Sequence, residues 1–192
     1  MLYKLICHLT SITVHEASEQ DTDRAVAAAK EAFPSWSALS PDQRSPYFKK
    51  LAKLIRENND ELGALEAASM GKPVGDFFDA HACAAKWEHY SEAGYSVQGT
   101  TSVQTPGYIN LTLRQPYGVV AAIIPWNVPL LFLAGKLAPA LIVGNTVVLK
   151  SSEKAPLTVS LDSVAGPSSL THYMYSRSSW PLWSKRRGSR LV

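Results

Sequence analysis

Three side chains in this sequence stand where chemistry is possible: Asn127, Lys150 and Glu153. Asn127 lies in Pro125-Trp126-Asn127-Val128-Pro129, directly after the apolar run Val119–Ile124. A carboxamide on a loop at the end of a strand can hold charge that develops on a carbonyl oxygen. One such donor is worth ~3 kcal/mol in a transition state. The plainer alternative is an asparagine that satisfies its own loop backbone. Lys150 closes a second apolar run, Thr146–Leu149, and Glu153 follows three residues later. An ammonium and a carboxylate at that spacing can grip the two hydroxyls of a ribose; the alternative is a solvated charge pair. Trp126 can line a cleft beside Asn127 or belong to a core. Lys136 can approach the loop or lay its stem along a helix surface.

The elements that must position these residues form a β-loop-α-β unit over Gln115–Pro156. Val119–Ile124 is unbroken and rich in β-branched residues, as in a strand buried on both faces. The two prolines of the next loop cannot donate to a ladder and end it. From Leu130 the apolar period changes: Leu130, Leu133, Leu137 and Leu141 share one side of a helix. Gly144-Asn145 stops that helix. Two buried strands joined by one helix lie parallel. Both loops that follow a strand then meet at the carboxyl edge of the sheet, where ligands bind in open α/β sheets. Trp126, Asn127, Lys150, Ser151, Ser152 and Glu153 form the polar rim.

The stretch resembles the aldehyde dehydrogenase superfamily. The residues that carry the resemblance are Pro116-Tyr117-Gly118-Val119-Val120, Ile124-Pro125-Trp126-Asn127-Val128-Pro129, Lys136-Leu137-Ala138-Pro139-Ala140-Leu141, Gly144-Asn145-Thr146-Val147-Val148 and Lys150-Ser151-Ser152-Glu153. Ser151 stands where proline is usual. The resemblance covers about residues 14–160. It implies an α/β fold: amino-terminal helices, then the start of a Rossmann-like parallel sheet, with the fold incomplete. It implies that Asn127 is the oxyanion donor, that Lys136 lies near the active site, and that Ile124, Pro125, Trp126, Lys150 and Glu153 bind the cofactor. NAD is favoured over NADP, because the carboxylate of Glu153 repels a 2′-phosphate. The resemblance also implies a small-molecule aldehyde as the parent family's substrate, oxidised to a carboxylate.

The same resemblance places the family's nucleophilic cysteine and general-base glutamate beyond residue 192. The chain is therefore expected to be a truncated, inactive fragment. The alternative is a non-catalytic partner of full-length homologues. Cys83 lies among alanines on an expected helix, which reads as small-residue packing. His81, Cys83, Glu88 and His89 cannot converge from one helix, so no metal is expected.

Upstream, Ser18-Glu19-Gln20-Asp21 opens a helix that Pro34 is expected to stop. Ser40-Pro41-Asp42-Gln43 offers a second cap. Pro46 then requires a helix that starts a turn later at Ser45, or one that kinks. A third helix, Glu61–Met70, closes on Gly71. Asp76 caps a fourth that runs to about Glu92. These helices occupy residues 18–93. Tyr108–Arg114 alternates apolar and polar residues, as a half-buried strand does. In the family such a strand belongs to an arm used for homo- or hetero-oligomers. Residues 1–160 thus read as a partial cofactor-binding domain, with the β-α-β unit at 119–150.

The net charge of +3 is uneven. Residues 161–192 carry +4, and eight of them are serine. No structural period is sustained there, so that segment reads as a divergent, disordered basic tail. Basic tails are usually solvated, so nucleic acid is not expected as a partner. Two cysteines give no disulfide framework, and no apolar run or leader suggests a membrane. The expected compartment is cytoplasmic.

Overall fold

The computed structural model describes residues 2–7, 10–15 and 17–159. The tail at 161–192 lies outside them. Strands β1 (Leu2–Cys7) and β2 (Thr10–His15) pair antiparallel, from Leu2↔His15 to Cys7↔Thr10. Four helices follow: α1 (Glu19–Ser37), α2 (Pro41–Glu57), α3 (Asn59–Met70) and α4 (Asp79–Glu92). Short strands β3 (Thr101–Ser102) and β4 (Asn110–Leu111) form a second antiparallel pair. The last unit is β5 (Val119–Ile123), α5 (Pro129–Ile142) and β6 (Thr146–Lys150).

Both serine caps form as their sequences dictate. Ser18 Oγ accepts from the Asp21 N–H at 3.2 Å, and the Asp21 carboxylate accepts from the Ser18 N–H at 2.9 Å. Ser40 and Gln43 repeat the exchange at 3.3 and 2.8 Å. Helix α2 therefore starts at Pro41 and carries Pro46 inside it, not one turn later at Ser45. Helix α1 does not stop at Pro34 but continues to Ser37. Its last turn carries Trp36, which is fully buried and donates its indole N–H to the Leu141 carbonyl at 3.0 Å. Burying that ring outweighs the single hydrogen bond Pro34 cannot make. Helix α4 begins at Asp79, because Val74–Asp76 is taken up in a short 3-10 helix. Gly71 ends α3 at φ 79°, the left-handed cap expected of it.

The core lies where α2, α4 and α5 pack together. Phe48, Leu51, Ile55, Trp87, Leu130, Leu133, Leu137 and Leu141 are all buried. Trp87 meets Phe48 edge-on at 5.2 Å. The four leucines of α5 that share a helical face are each at 0% exposure. No helix among the described residues is long and apolar enough to cross a membrane.

Strands β5 and β6 are parallel, in register from Val119↔Thr146 to Ile123↔Lys150, with α5 as the crossover. The expectation of burial on both faces is corrected. Val120, Ala122, Ile124, Val147 and Leu149 face the helical core, while Ala121 is exposed and Ile123 is 65% exposed. Among the described residues, the helical core lies against one face of this two-stranded sheet. The half-buried strand at 108–114 is also corrected. Tyr108, Ile109, Leu111 and Leu113 are all exposed, and Asn110–Leu111 alone keep strand geometry. Among the described residues, this pair of two-residue strands has no layer beneath it.

Candidate cofactor rim at the carboxyl edge of the sheet

The rim is positioned from the far end of its own unit. Where α5 ends, the Gly144 N–H donates to Leu141 at 3.0 Å, and Gly144 takes φ 96°. Asn145 then ties three elements. Its Nδ2 donates to the Ala140 carbonyl at 3.1 Å, and its Oδ1 accepts from the Gly118 N–H at 3.1 Å. The Thr146 N–H donates back to Gly118 at 2.9 Å. Both strands thus start at one fixed point. Arg44 braces this corner from below: it is buried, and its guanidinium donates to the carbonyls of Trp36, Ser37, Leu39 and Ile142.

Five residues on, both strands end together. The Ile124 N–H donates to the Lys150 carbonyl at 3.2 Å, joining the two expected site segments by a backbone bond. Lys150 Nζ lies 3.5 Å from Glu153 Oε2, and both side chains are solvent-facing. The Glu153 carboxyl is held below the usual carboxylate range, first by its own backbone N–H and then by the positive charges of Lys150 and Lys154. It is an anion at neutral pH. Trp126 is 47% exposed, with Lys154 Nζ 6.0 Å from its ring centre. Pro125 is half-buried and Asn127 is exposed. Among the described residues, the Asn127 carboxamide makes no hydrogen bond. It adjoins the amino terminus of α5, which has no side-chain cap. Free N–H groups at a helix start favour negative charge nearby. The exposed carboxamide thus stands beside an uncapped helix start.

Three further expected site residues lie off the exposed rim. Ile124 is 2% exposed, because strand alternation turns its side chain to the core with Val120 and Ala122. Ser152 is 7% exposed, and its Oγ accepts from the Lys154 N–H at 3.2 Å. Lys136 is exposed on α5, seven residues past its start, about 10 Å of helix rise away from the loop.

Cys83 is fully buried, and burial pushes its thiol up to about 12. A thiol held protonated is a poor nucleophile. One open concavity, about 510 Å³, lies away from the rim. It lies between the start of α2 and the end of α4 and is lined by Pro41, Asp42, Lys49, Glu92 and Tyr95. Its charges already pair with one another: Lys49 with Glu92 at 2.6 Å, and the Tyr95 hydroxyl with Asp42 at 3.0 Å. The rim, by contrast, is a wall with no facing surface among the described residues.

Sequence reasoning missed Glu66. It is completely buried on α3 and accepts at 2.8 Å from the hydroxyl of Thr158, beyond the rim. Its position was readable, since Leu62, Glu66 and Ser69 follow one helical face.

Comparison with known proteins agrees with this geometry. The model of the aldehyde dehydrogenase family matches residues 8–163. The chain is 41% identical over 146 residues to an aldehyde dehydrogenase of Davidiella tassiana, covering 75% of this chain and 29% of the relative. It is 42% identical over 144 residues to PuuC of Escherichia coli K12, described as an NADP/NAD-dependent aldehyde dehydrogenase, covering 72% of this chain and 29% of the relative. Among solved structures it superposes on PnpE, crystallised with nicotinamide adenine dinucleotide, with a TM-score of 0.76 at 37% identity. That superposition covers 83% of this chain and 34% of PnpE. The chain thus spans about a third of the length of the relatives it matches.

Proposed function

The chain belongs to the aldehyde dehydrogenase family, and on that premise we propose that its rim is one wall of an NAD-dependent aldehyde-oxidising site. Lys150 and Glu153 take the two hydroxyls of the adenine ribose, Pro125 and Trp126 line the cofactor cleft, and Asn127 donates to the oxygen of the aldehyde as it becomes an oxyanion. When bound, the nicotinamide supplies the hydride acceptor. The observation that carries this reading is the 3.5 Å Lys150–Glu153 pair, facing solvent at the carboxyl edge of a parallel sheet. A cation and an anion side by side suit vicinal hydroxyls, which both donate and accept. The ionised Glu153 disfavours a 2′-phosphate, so NAD is preferred to NADP. The Rossmann character of the parent sheet and a cytoplasmic setting belong to the same reading.

Cys83 is buried and protonated, so it is not a competent nucleophile. We therefore propose that this chain binds without turning over. The test is calorimetric titration of the purified chain with NAD and NADP, with Lys150→Ala as the variant. A charge-assisted hydrogen bond is worth about 1.5–3 kcal/mol, so Lys150→Ala should weaken NAD binding tenfold or more. Equal affinity for the two cofactors, or an unaffected Lys150→Ala variant, refutes the ribose assignment. NADH production from an aldehyde by the chain alone refutes the claim of inactivity.

A second reading rests on the exposed hairpin of β3 and β4. Val103, Tyr108, Ile109, Leu111 and Leu113 are each 62–75% exposed. So much clustered apolar surface marks a protein interface. We propose that this arm pairs with a second copy or with a full-length homologue. Light scattering after size exclusion tests it: a monomer, unchanged by Leu111→Lys and not retained by a full-length relative, ends the idea.

A further inference from the structure

Glu66 is a carboxylate where helix packing calls for an apolar residue. It sits on α3 in line with Leu62, at 0% exposure. Its Oε1 accepts from the Thr158 hydroxyl at 2.8 Å, across 92 residues of sequence. Its Oε2 makes no hydrogen bond among the described residues. Two more buried oxygens nearby on the chain, Ser69 Oγ and Asp79 Oδ1, share that condition. The charges around Glu66 are Asp79 at the start of α4 and Lys72, which pair with each other. Burying a carboxylate that bonds one hydroxyl is costly for a fold that gains only packing from it. The costly contact is also the one that reaches the rim.

Thr158 ends the segment that leaves β6 through Lys150, Ser151, Ser152 and Glu153. That segment is folded on itself: the Lys154 N–H donates to Ser152 Oγ at 3.2 Å, and the Ala155 N–H to the Ser152 carbonyl at 3.3 Å. Ser152, Ala155, Pro156 and Thr158 are buried, while Glu153 and Lys154 stand out. The segment is held at one end by the β5–β6 ladder; at the other, Thr158 bonds Glu66 and Val159 is buried in the core.

We infer that Glu66 is a positioning residue for the cofactor rim, fastening through Thr158 the segment that carries Lys150 and Glu153 to helix α3. The inference rests on reading Lys150 and Glu153 as ribose contacts, but the anchor can be tested without any ligand. Burial, with help from Asp79, pushes the Glu66 carboxyl up to about 7, while Lys72 and the Thr158 hydroxyl pull the other way. When the segment lifts, Glu66 meets water and loses its proton more readily. Opening is therefore favoured as pH rises towards 7, then levels off.

Hydrogen exchange of the full chain, expressed as protection factors for the Lys154 and Ala155 amides, reads this directly. In the wild type, protection at pH 8 should be about thirtyfold lower than at pH 5.5, from one and a half pH units of linkage below 7. Glu66→Gln keeps an acceptor for Thr158 and abolishes the pH dependence. Thr158→Val lowers protection about tenfold at both pH values, and Thr158→Ser restores it. A profile that survives in Glu66→Gln, or full protection in Thr158→Val, overturns the anchor.

NAD titration of the same variants tests the consequence. Thr158→Val should weaken binding about tenfold and Thr158→Ser should recover it. If Thr158→Val binds like the wild type while Lys150→Ala does not, the positioning role is refuted and the ribose reading stands. If Lys150→Ala binds like the wild type, or the wild type does not bind, the ribose reading is refuted and the exchange profile alone decides the anchor.

Discussion

Replacing Arg44 by methionine should cost this fold about 3 kcal/mol. Arg44 is 5% exposed, and no carboxylate neutralises it among the described residues. Its Nη1 donates to Ile142 at 2.5 Å, its Nη2 to Ser37 at 3.1 Å and Leu39 at 2.5 Å, and its Nε to Trp36 at 3.3 Å. These carbonyls end α1 and α5, where the negative ends of two helices would otherwise go unanswered. The Trp36 carbonyl also accepts from the Leu39 N–H, so it is not orphaned by the substitution. Ser37 cannot find the usual donor four residues on, because position 41 is proline. Three carbonyls are left, at about 1 kcal/mol each for a buried unsatisfied group. Methionine preserves much of the stem's packing, so the loss is electrostatic. Lysine should fail almost as badly, since one ammonium cannot fork to two helix ends. Urea unfolding followed by tryptophan fluorescence is the assay. With a slope of about 2 kcal/mol/M, the midpoint of Arg44→Met should fall by about 1.5 M. The shift should persist in 0.5 M salt, because buried bonds to carbonyls are poorly screened. A midpoint within 0.2 M of wild type for either variant refutes the reasoning.

Gly144→Ala should lose about 2 kcal/mol in the same assay. A Cβ there meets Arg44 Nη2 at 2.8 Å, and the φ of 96° disfavours any side chain. Leu137→Ala should lose about 3 kcal/mol through an apolar cavity between α4 and α5, seen as a lower melting temperature with the fold retained. Glu66 links stability to pH. Its folded pKa of about 7 exceeds the ordinary carboxyl value of about 4.5, so its ionisation carries no penalty below about 4.5. The cost grows as pH rises to 7, reaching about 3 kcal/mol above it. Glu66→Gln should therefore gain on the wild type at pH 8 but not at pH 4.5, and parallel pH–stability curves would refute this. Cys83 should resist iodoacetamide in the folded chain and react on unfolding, as peptide mapping would show.

What was legible in the sequence was what local physics decides. The caps at Ser18 and Ser40, the left-handed stop at Gly71 and the leucine face of α5 depend on residues within one or two turns. The parallel pairing of β5 with β6 followed from two apolar runs and one helix of the right length. What was not legible depended on partners far along the chain. Pro34 stops a helix in isolation, but Trp36 finds Leu141 more than a hundred residues away and carries the helix past it. Val119–Ile124 reads as a strand buried twice over, yet burial of its outer face needs a layer that the described residues do not contain. The alternation at 108–114 fails for the same reason. An apolar pattern states what a strand can bury, not whether anything arrives to bury it.

The site divides along the same line. Lys150 and Glu153 were legible because three residues after a strand end is a local spacing, and the two side chains do meet. Ile124 was assigned to the cofactor by resemblance, and alternation turns its side chain to the core. Its contribution is the backbone N–H it gives to Lys150. The Glu66–Thr158 contact spans 92 residues and shows no signal at either end beyond a carboxylate in register with Leu62. Exposed rim charges are held weakly by their own ion pair, since exposed pairs are worth 0–1 kcal/mol. Whatever order the rim has must come from beneath it, from the ladder that ends at Ile124 and Lys150 and from buried bonds such as that of Glu66. The residues that touch a ligand and the residues that make the touch repeatable are thus different sets, and local sequence exposes the first more readily than the second.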